Sequence, residues 1–160
     1  MPQNSALRTL YNAPVFRSFL CDGLGEEAMH EYADPLSSTN LHFAEKGEAL
    51  GGHFDNSSFA ITLMVQAPEK GGKLEYVEAV HDADAGEMGF EKFDEILGGK
   101  LPVETAAVEA GTLVFFRDLN SIHRVAPNEG DRTRILAVLA YYAEPDIELS
   151  EAARMTFMDG

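Results

Sequence analysis

Gly51 to Val80 reads GGHFDNSSFAITLMVQAPEKGGKLEYVEAV, and this stretch decides the fold. Its middle, FAITLMVQAP, is a long apolar strand stopped by Pro68 and the turn EKGG, and KLEYVEAV is expected to fold back as its hairpin partner. In front of that strand His53 and Asp55 stand two residues apart. Side chains at i and i+2 of an extended segment leave from the same face, so the imidazole and the carboxylate point together while Phe54 points away. Such a pair arises by chance in many chains. It gains meaning only if a third donor comes from a strand distant in sequence and adjacent in space.

Strand-and-turn patterning extends over most of the chain. Upstream, LSSTNLHFAE reads as a strand with Leu41 and Phe43 on one side and Asn40 and His42 on the other. Downstream, LPVETAAV, a turn at EAG and TLVFF give two more strands; SIHRVAP is short and extended, the turn NEGD follows, and RTRILAVLAYYAEP is a long strand ended by Pro145. Helical character is expected from Gly23 to Tyr32, capped by Asp22 and stopped by Asp34-Pro35. A second helix is expected from Met88 to Leu97, with Phe90, Phe93 and Leu97 at helical spacing before Gly98-Gly99. Many short strands, Gly and Pro turns and few helices predict a mainly β chain, a sandwich or barrel; a double-sheet jelly roll with a few flanking helices suits the count.

With 160 residues, 45% of them apolar and 24% charged, the composition is that of one folded domain spanning residues 1–160. A formal net charge of -15 repels phosphate backbones and anionic lipid, so neither a nucleic acid nor a membrane is expected as partner. MPQNSALRTL lacks a long apolar core behind a basic start, and no stretch approaches the ~20 apolar residues of a membrane span. The chain is expected in the cytoplasm. Lone Cys21 cannot form an internal disulfide, agrees with a reducing compartment and reads as a small buried hydrophobe.

The third donor sought by His53 and Asp55 is His123, in NSIHRVAP. Two histidines and one carboxylate on one face of an ion leave three positions open, as in non-haem Fe(II) oxygenases. An anionic cosubstrate entering those positions needs a fixed bidentate cation, which arginine supplies better than lysine. Arg132 and Arg134 open the strand that follows His123.

Taken together, HFD, GTLVFF, HRVAPNEGDRTR and LAYY resemble the Fe(II)/2-oxoglutarate-dependent dioxygenases, whose core is a double-stranded β-helix, a cupin-like jelly roll. ADPLSSTNLHFAEKGEALGGHFDNSSFAITLMVQAPEKGGKLEYV with HRVAPNEGDR resembles, more narrowly, the C-terminal catalytic domain of the radical amino-acid halogenase and hydroxylase group. The resemblance runs from about Leu10 to the C-terminus. It implies His53, Asp55 and His123 as iron ligands, with Fe(II), 2-oxoglutarate and O2 as the chemical partners. Alignment back from LAYY selects Arg134 for the distal 2-oxoglutarate carboxylate; alignment forward from the GxR turn selects Arg132. They share strand parity, so both stay open, Arg134 being preferred. In the halogenases of this group a small residue replaces the carboxylate ligand and leaves room for a halide. Asp55 therefore implies hydroxylation, or another oxidation such as desaturation, of a small-molecule substrate with release of succinate and CO2.

Plainer roles are assigned to the other polar residues. His30 is expected on the first helix at the surface, and His81, Asp82 and Asp84 in a solvated acidic loop. Arg124 should point away from the iron and form a surface ion pair. Asn40 with His42, and Glu75 with Tyr76, could either line a cavity or serve as ordinary cross-strand packing. Two other functions stay open: a cupin-like metalloprotein acting as isomerase or hydrolase, and a non-catalytic binding module with a vestigial site. Relatives of the group are longer, and a homo-oligomer is one way of covering the site.

Overall fold

The computed structural model describes residues 4–31, 38–53, 59–77, 102–116 and 122–147. Among the described residues, two helices, α1 (Ala6–Asn12) and α2 (Pro14–Leu24), precede nine strands: β1 (His30–Glu31), β2 (Thr39–Ala44), β3 (Leu50–His53), β4 (Phe59–Gln66), β5 (Leu74–Val77), β6 (Glu104–Ala106), β7 (Leu113–Phe116), β8 (Ile122–Val125) and β9 (Arg134–Tyr142). They form two antiparallel sheets, one ordered β1-β9-β4-β7 with β2 also on β9, the other ordered β3-β8-β5-β6. From β2 to β5 and again from β6 to β9 the chain alternates between the sheets, which makes this a jelly roll.

Strands β4 and β9 are apolar on both faces because both are covered. On one face Phe59, Ile61, Leu139 and Tyr141 join Tyr11, Phe16, Leu20 and Met29 in the main core, against which Cys21, Leu113 and Phe115 pack. The opposite face of β9 begins at Arg134 and shares its register with Ala44, as Leu136 does with His42 and Val138 with Asn40. Strand β2 thus alternates as its sequence predicts. Asn40 is half-buried; His42, Leu41 and Phe43 are exposed.

The N-terminal helices lie earlier than the helix expected from Gly23 to Tyr32. Pro14 does not stop a helix but starts α2 at its first position, where the missing N–H is no loss. Gly25, at φ 70°, closes α2 with its N–H on the Cys21 carbonyl, so Asp22 sits in the last turn, not at an N-cap. His30, expected on a helix, lies on β1 opposite Tyr142. Two tyrosines fasten the helices to the sheet: Tyr11 donates to the Ala140 carbonyl at 2.8 Å, Tyr141 donates to the Tyr11 carbonyl at 2.9 Å, and their rings stack at 4.6 Å.

The β4–β5 hairpin expected from sequence does not form. β5 pairs with β6 and β8 in the other sheet, while β4 pairs with β7 and β9. Residues 67–73 carry the chain across, using Gly71 and Gly72 at φ 73° and 59°. At Gly71 a Cβ would lie 2.2 Å from the Pro127 carbonyl oxygen, so only glycine permits the approach. The turn at EAG is present, with Thr112 N–H on the Glu109 carbonyl and Gly111 at φ 88°. Asp34-Pro35, the acidic loop with His81, Asp82 and Asp84, and the Met88–Leu97 segment lie outside the described residues.

Candidate metal and cosubstrate site

Crossing between sheets is what brings His53 to His123. β3 runs antiparallel to β8 with these two residues in register, after an irregularity between Leu50 and His53. Their ring centroids are 4.3 Å apart at an interplanar angle of 58°, close enough for both imidazoles to reach one ion. His123 is buried. His53 Nδ1 lies 2.8 Å from the Gly51 carbonyl oxygen. Since a carbonyl only accepts, Nδ1 carries the proton and Nε2 the lone pair that a metal takes up, the usual arrangement for a ligating histidine.

The third expected ligand, Asp55, lies outside the described residues. Among the described residues no three His, Cys, Asp or Glu side chains cluster as a metal site. The donor set found there is the histidine pair alone.

The register extends the pair into a row. Tyr76 is opposite His123 and Glu104 is opposite Tyr76, so His53, His123, Tyr76 and Glu104 project from one face across β3, β8, β5 and β6. Tyr76 hydroxyl donates to Glu104 at 2.9 Å. Leu74 and Val125, the next pair on this face, are buried. Glu104 was not singled out from sequence, because its partnership with Tyr76 depends on a strand register that a three-residue strand does not announce. Arg124 behaves as expected: alternation turns it off this face, and its Nε pairs with Glu75 at 2.6 Å.

The two candidate arginines part company. Arg132 is half exposed and bridges to Glu69 at 3.3 Å on the surface. Arg134, at 5% exposure, is buried, and its Nε has no hydrogen-bond partner. Removal from water pushes its pKa down. Its stem passes the cross-over: a Cβ on Gly72 would come within 3.2 Å of Arg134 Cδ. Gly72 lies at the end of the cross-over that leads into β5, the strand on which Tyr76 stands opposite His123. A buried guanidinium with an unsatisfied donor at the cross-over into the histidines' sheet, together with two imidazoles suited to a divalent ion, fits a metal-chelating dicarboxylate.

A family model described as Halogenase D matches residues 2–158. Among solved structures, an oxidoreductase of the 2OG-Fe(II) oxygenase family from Burkholderia pseudomallei is similar at 15% identity and a TM-score of 0.65, over 90% of this chain and 58% of that one. AviO1 from Streptomyces viridochromogenes Tue57 is similar at 17% identity and a TM-score of 0.64, over 86% and 61%. A Pseudomonas putida prolyl-4-hydroxylase is similar at 17% identity and a TM-score of 0.53, over 89% and 69%. No curated protein matches. The likenesses to solved structures establish the jelly-roll fold, and the chain spans less than two thirds of the first two. The fold is shared with a solved 2OG-Fe(II) oxygenase family structure, and with the family model covering nearly its whole length, this chain belongs to the Halogenase D family.

Proposed function

We propose that the chain hydroxylates an unactivated C–H bond of a small polar metabolite, an amino acid or a derivative of one, using Fe(II), 2-oxoglutarate and O2. The observation that carries this is Arg134, a buried cation with an unsatisfied donor on the strand next to the histidine pair's sheet crossing. A metal-dependent isomerase or hydrolase on the same jelly roll has no use for such a clamp. When bound, the iron with its cosubstrate supplies the oxidising power for C–H cleavage and leaves succinate and CO2.

The chain's own residues prepare that chemistry. His53 and His123 would hold the ion with Asp55 as the third ligand, His53 being oriented by the Gly51 carbonyl. Arg134 would take the distal carboxylate through a two-pronged, charge-assisted contact and so set the angle at which the 2-oxo acid end meets the metal. Leu74 and Val125 keep water out along the way. Tyr76 and Glu104, next in the row, face the side on which a substrate's polar groups would lie. An aspartate at position 55, where the halogenating relatives have a small residue, supports oxygen insertion over halide transfer.

Anaerobic addition of Fe(II) and 2-oxoglutarate tests the proposal. Wild type should develop the weak visible charge-transfer band of the chelate, and His53→Ala should not. No band with wild type, or an unchanged band in the variant, sinks it. A succinate-release screen over an amino-acid panel then narrows the substrate.

A further inference from the structure

Among the described residues, Asn128 is one of the most deeply buried polar side chains, at 1% exposure. Its amide donates to the Ala44 carbonyl at 3.0 Å and to the Arg132 carbonyl at 2.9 Å, while Oδ1 accepts from Gly130 N–H at 3.0 Å. The last contact is an Asx turn, the local geometry that the NEGD segment favours. The backbone of Asn128 is equally engaged: its carbonyl accepts from Gly47 at 2.7 Å, its N–H donates to Glu48 at 2.9 Å, and it bridges to Gly71. One residue therefore joins the end of β2 and the turn before β9 through its side chain, and the cross-over between the sheets through its backbone.

These tethers surround Arg134. Ala44, held by Asn128, is the register partner of Arg134 on β2. The Arg132 carbonyl is held by Asn128, and the Thr133 carbonyl accepts from Gln66 Nε2 at 2.7 Å, so the two peptide units before Arg134 are both pinned. Glu129 and Gly130 donate to the Lys70 carbonyl and Gly72 donates to the Pro127 carbonyl, which draws Gly72 against the arginine stem. A guanidinium that must wait buried for its anion has to be aimed by its backbone, and these contacts supply the aim.

We infer that Asn128, assisted by Gln66, is a positioning residue for the cosubstrate, fixing Arg134 for the distal carboxylate of a 2-oxo diacid. This rests on the functional proposal above. It assigns Asn128 no contact with metal or substrate, so its loss should weaken the distal-carboxylate contact alone.

The test is calorimetric, with redox-inert Ni(II) in place of iron on the full chain. 2-Oxoglutarate and oxalate, a metal chelator lacking a distal carboxylate, are titrated into wild type, Asn128→Ala and Gln66→Leu. Both variants should bind 2-oxoglutarate about 10- to 100-fold more weakly, the usual cost of losing a partner that orients a contacting group, with Ni(II) and oxalate affinities unchanged. Gln66→Leu keeps the test decisive if Asn128→Ala does not fold. Equal losses for oxalate and 2-oxoglutarate, or wild-type affinity for both in the folded variants, overturn the positioning role only. Wild type that binds Ni(II) and oxalate yet takes up no 2-oxoglutarate overturns the functional proposal, and this inference with it.

Discussion

Arg134→Met separates what the arginine costs the empty protein from what it contributes to ligand binding. Arg134 is buried, its Nε is unsatisfied, and burial lowers its pKa with no carboxylate among the described residues pulling the other way. Methionine keeps much of the stem beside Gly72 and removes the charge. The ligand-free variant should therefore unfold at the same temperature as wild type or higher, since a buried charge without a partner is a liability to the fold. Binding moves oppositely: two charge-assisted hydrogen bonds at about 1.5–3 kcal/mol each amount to about 3–6 kcal/mol. That weakens 2-oxoglutarate binding about 10²- to 10⁴-fold. Thermal unfolding with Ni(II) reads both effects. Cosubstrate at a hundred times its Kd adds about 2.7 kcal/mol to wild type, roughly 5–10 °C for a chain of this size; the same concentration should add at most about 0.4 kcal/mol, under roughly 2 °C, to Arg134→Met. Arg132→Met, which removes only a surface pair with Glu69, should shift with 2-oxoglutarate as wild type does. A 2-oxoglutarate shift of wild-type size in Arg134→Met, or a ligand-free midpoint well below wild type, refutes the reasoning.

Asp55→Gly should lose hydroxylation, read as product formation once a substrate is found; a variant as active as its parent removes Asp55 from the ligand set. Burial pushes the Tyr141 phenol far above its ordinary pKa, so it stays protonated when folded, while the unfolded chain releases that proton above about pH 10. Stability should be intact below that pH and fall above it by up to about 1.4 kcal/mol per unit. Tyr141→Phe should flatten this alkaline slope in urea titrations while costing about 1–2 kcal/mol at neutral pH for the lost bond to the Tyr11 carbonyl; an unchanged slope contradicts the assignment. Gly23→Ala places a Cβ 2.8 Å from Phe115 Cε2, so despite alanine's better helix propensity the variant should lose about 1–3 kcal/mol by denaturant unfolding. A gain instead would mean that the ring moves aside freely.

Strands β4 and β9 were legible because continuous apolar runs between Pro and Gly signals have few other uses, and the alternation of β2 survived intact. Sheet membership was not. Whether β5 turns back onto β4 or crosses over depends on the fit of Gly71 against Pro127, a contact between segments far apart in sequence. The N-terminal helix expected from Gly23 to Tyr32 was displaced because Pro14 and Gly25 carry start and stop signals whose sense depends on which side the apolar face lies. At the site, parity could not choose between Arg132 and Arg134, two residues apart; burial distinguishes them, because β9 begins at Arg134 while Arg132 turns out to Glu69. Asn128 showed only as a turn residue, since its partners Ala44 and Arg132 become neighbours only after the sheets assemble.

Strand β9 joins the tyrosine-fastened helices at one end to Arg134 at the other, ~23 Å away, and is flanked by β2 and β4 over most of that length. Its amides should be among the last to exchange with solvent, so the proposed cosubstrate contact would grow from the least forgiving part of the molecule. Divergence within such a scaffold is channelled elsewhere, toward the rim at β6, where Glu104 can be replaced without disturbing a central strand. Under the proposed function, cosubstrate use would then resist drift, while the choice of what is oxidised would stay open to selection.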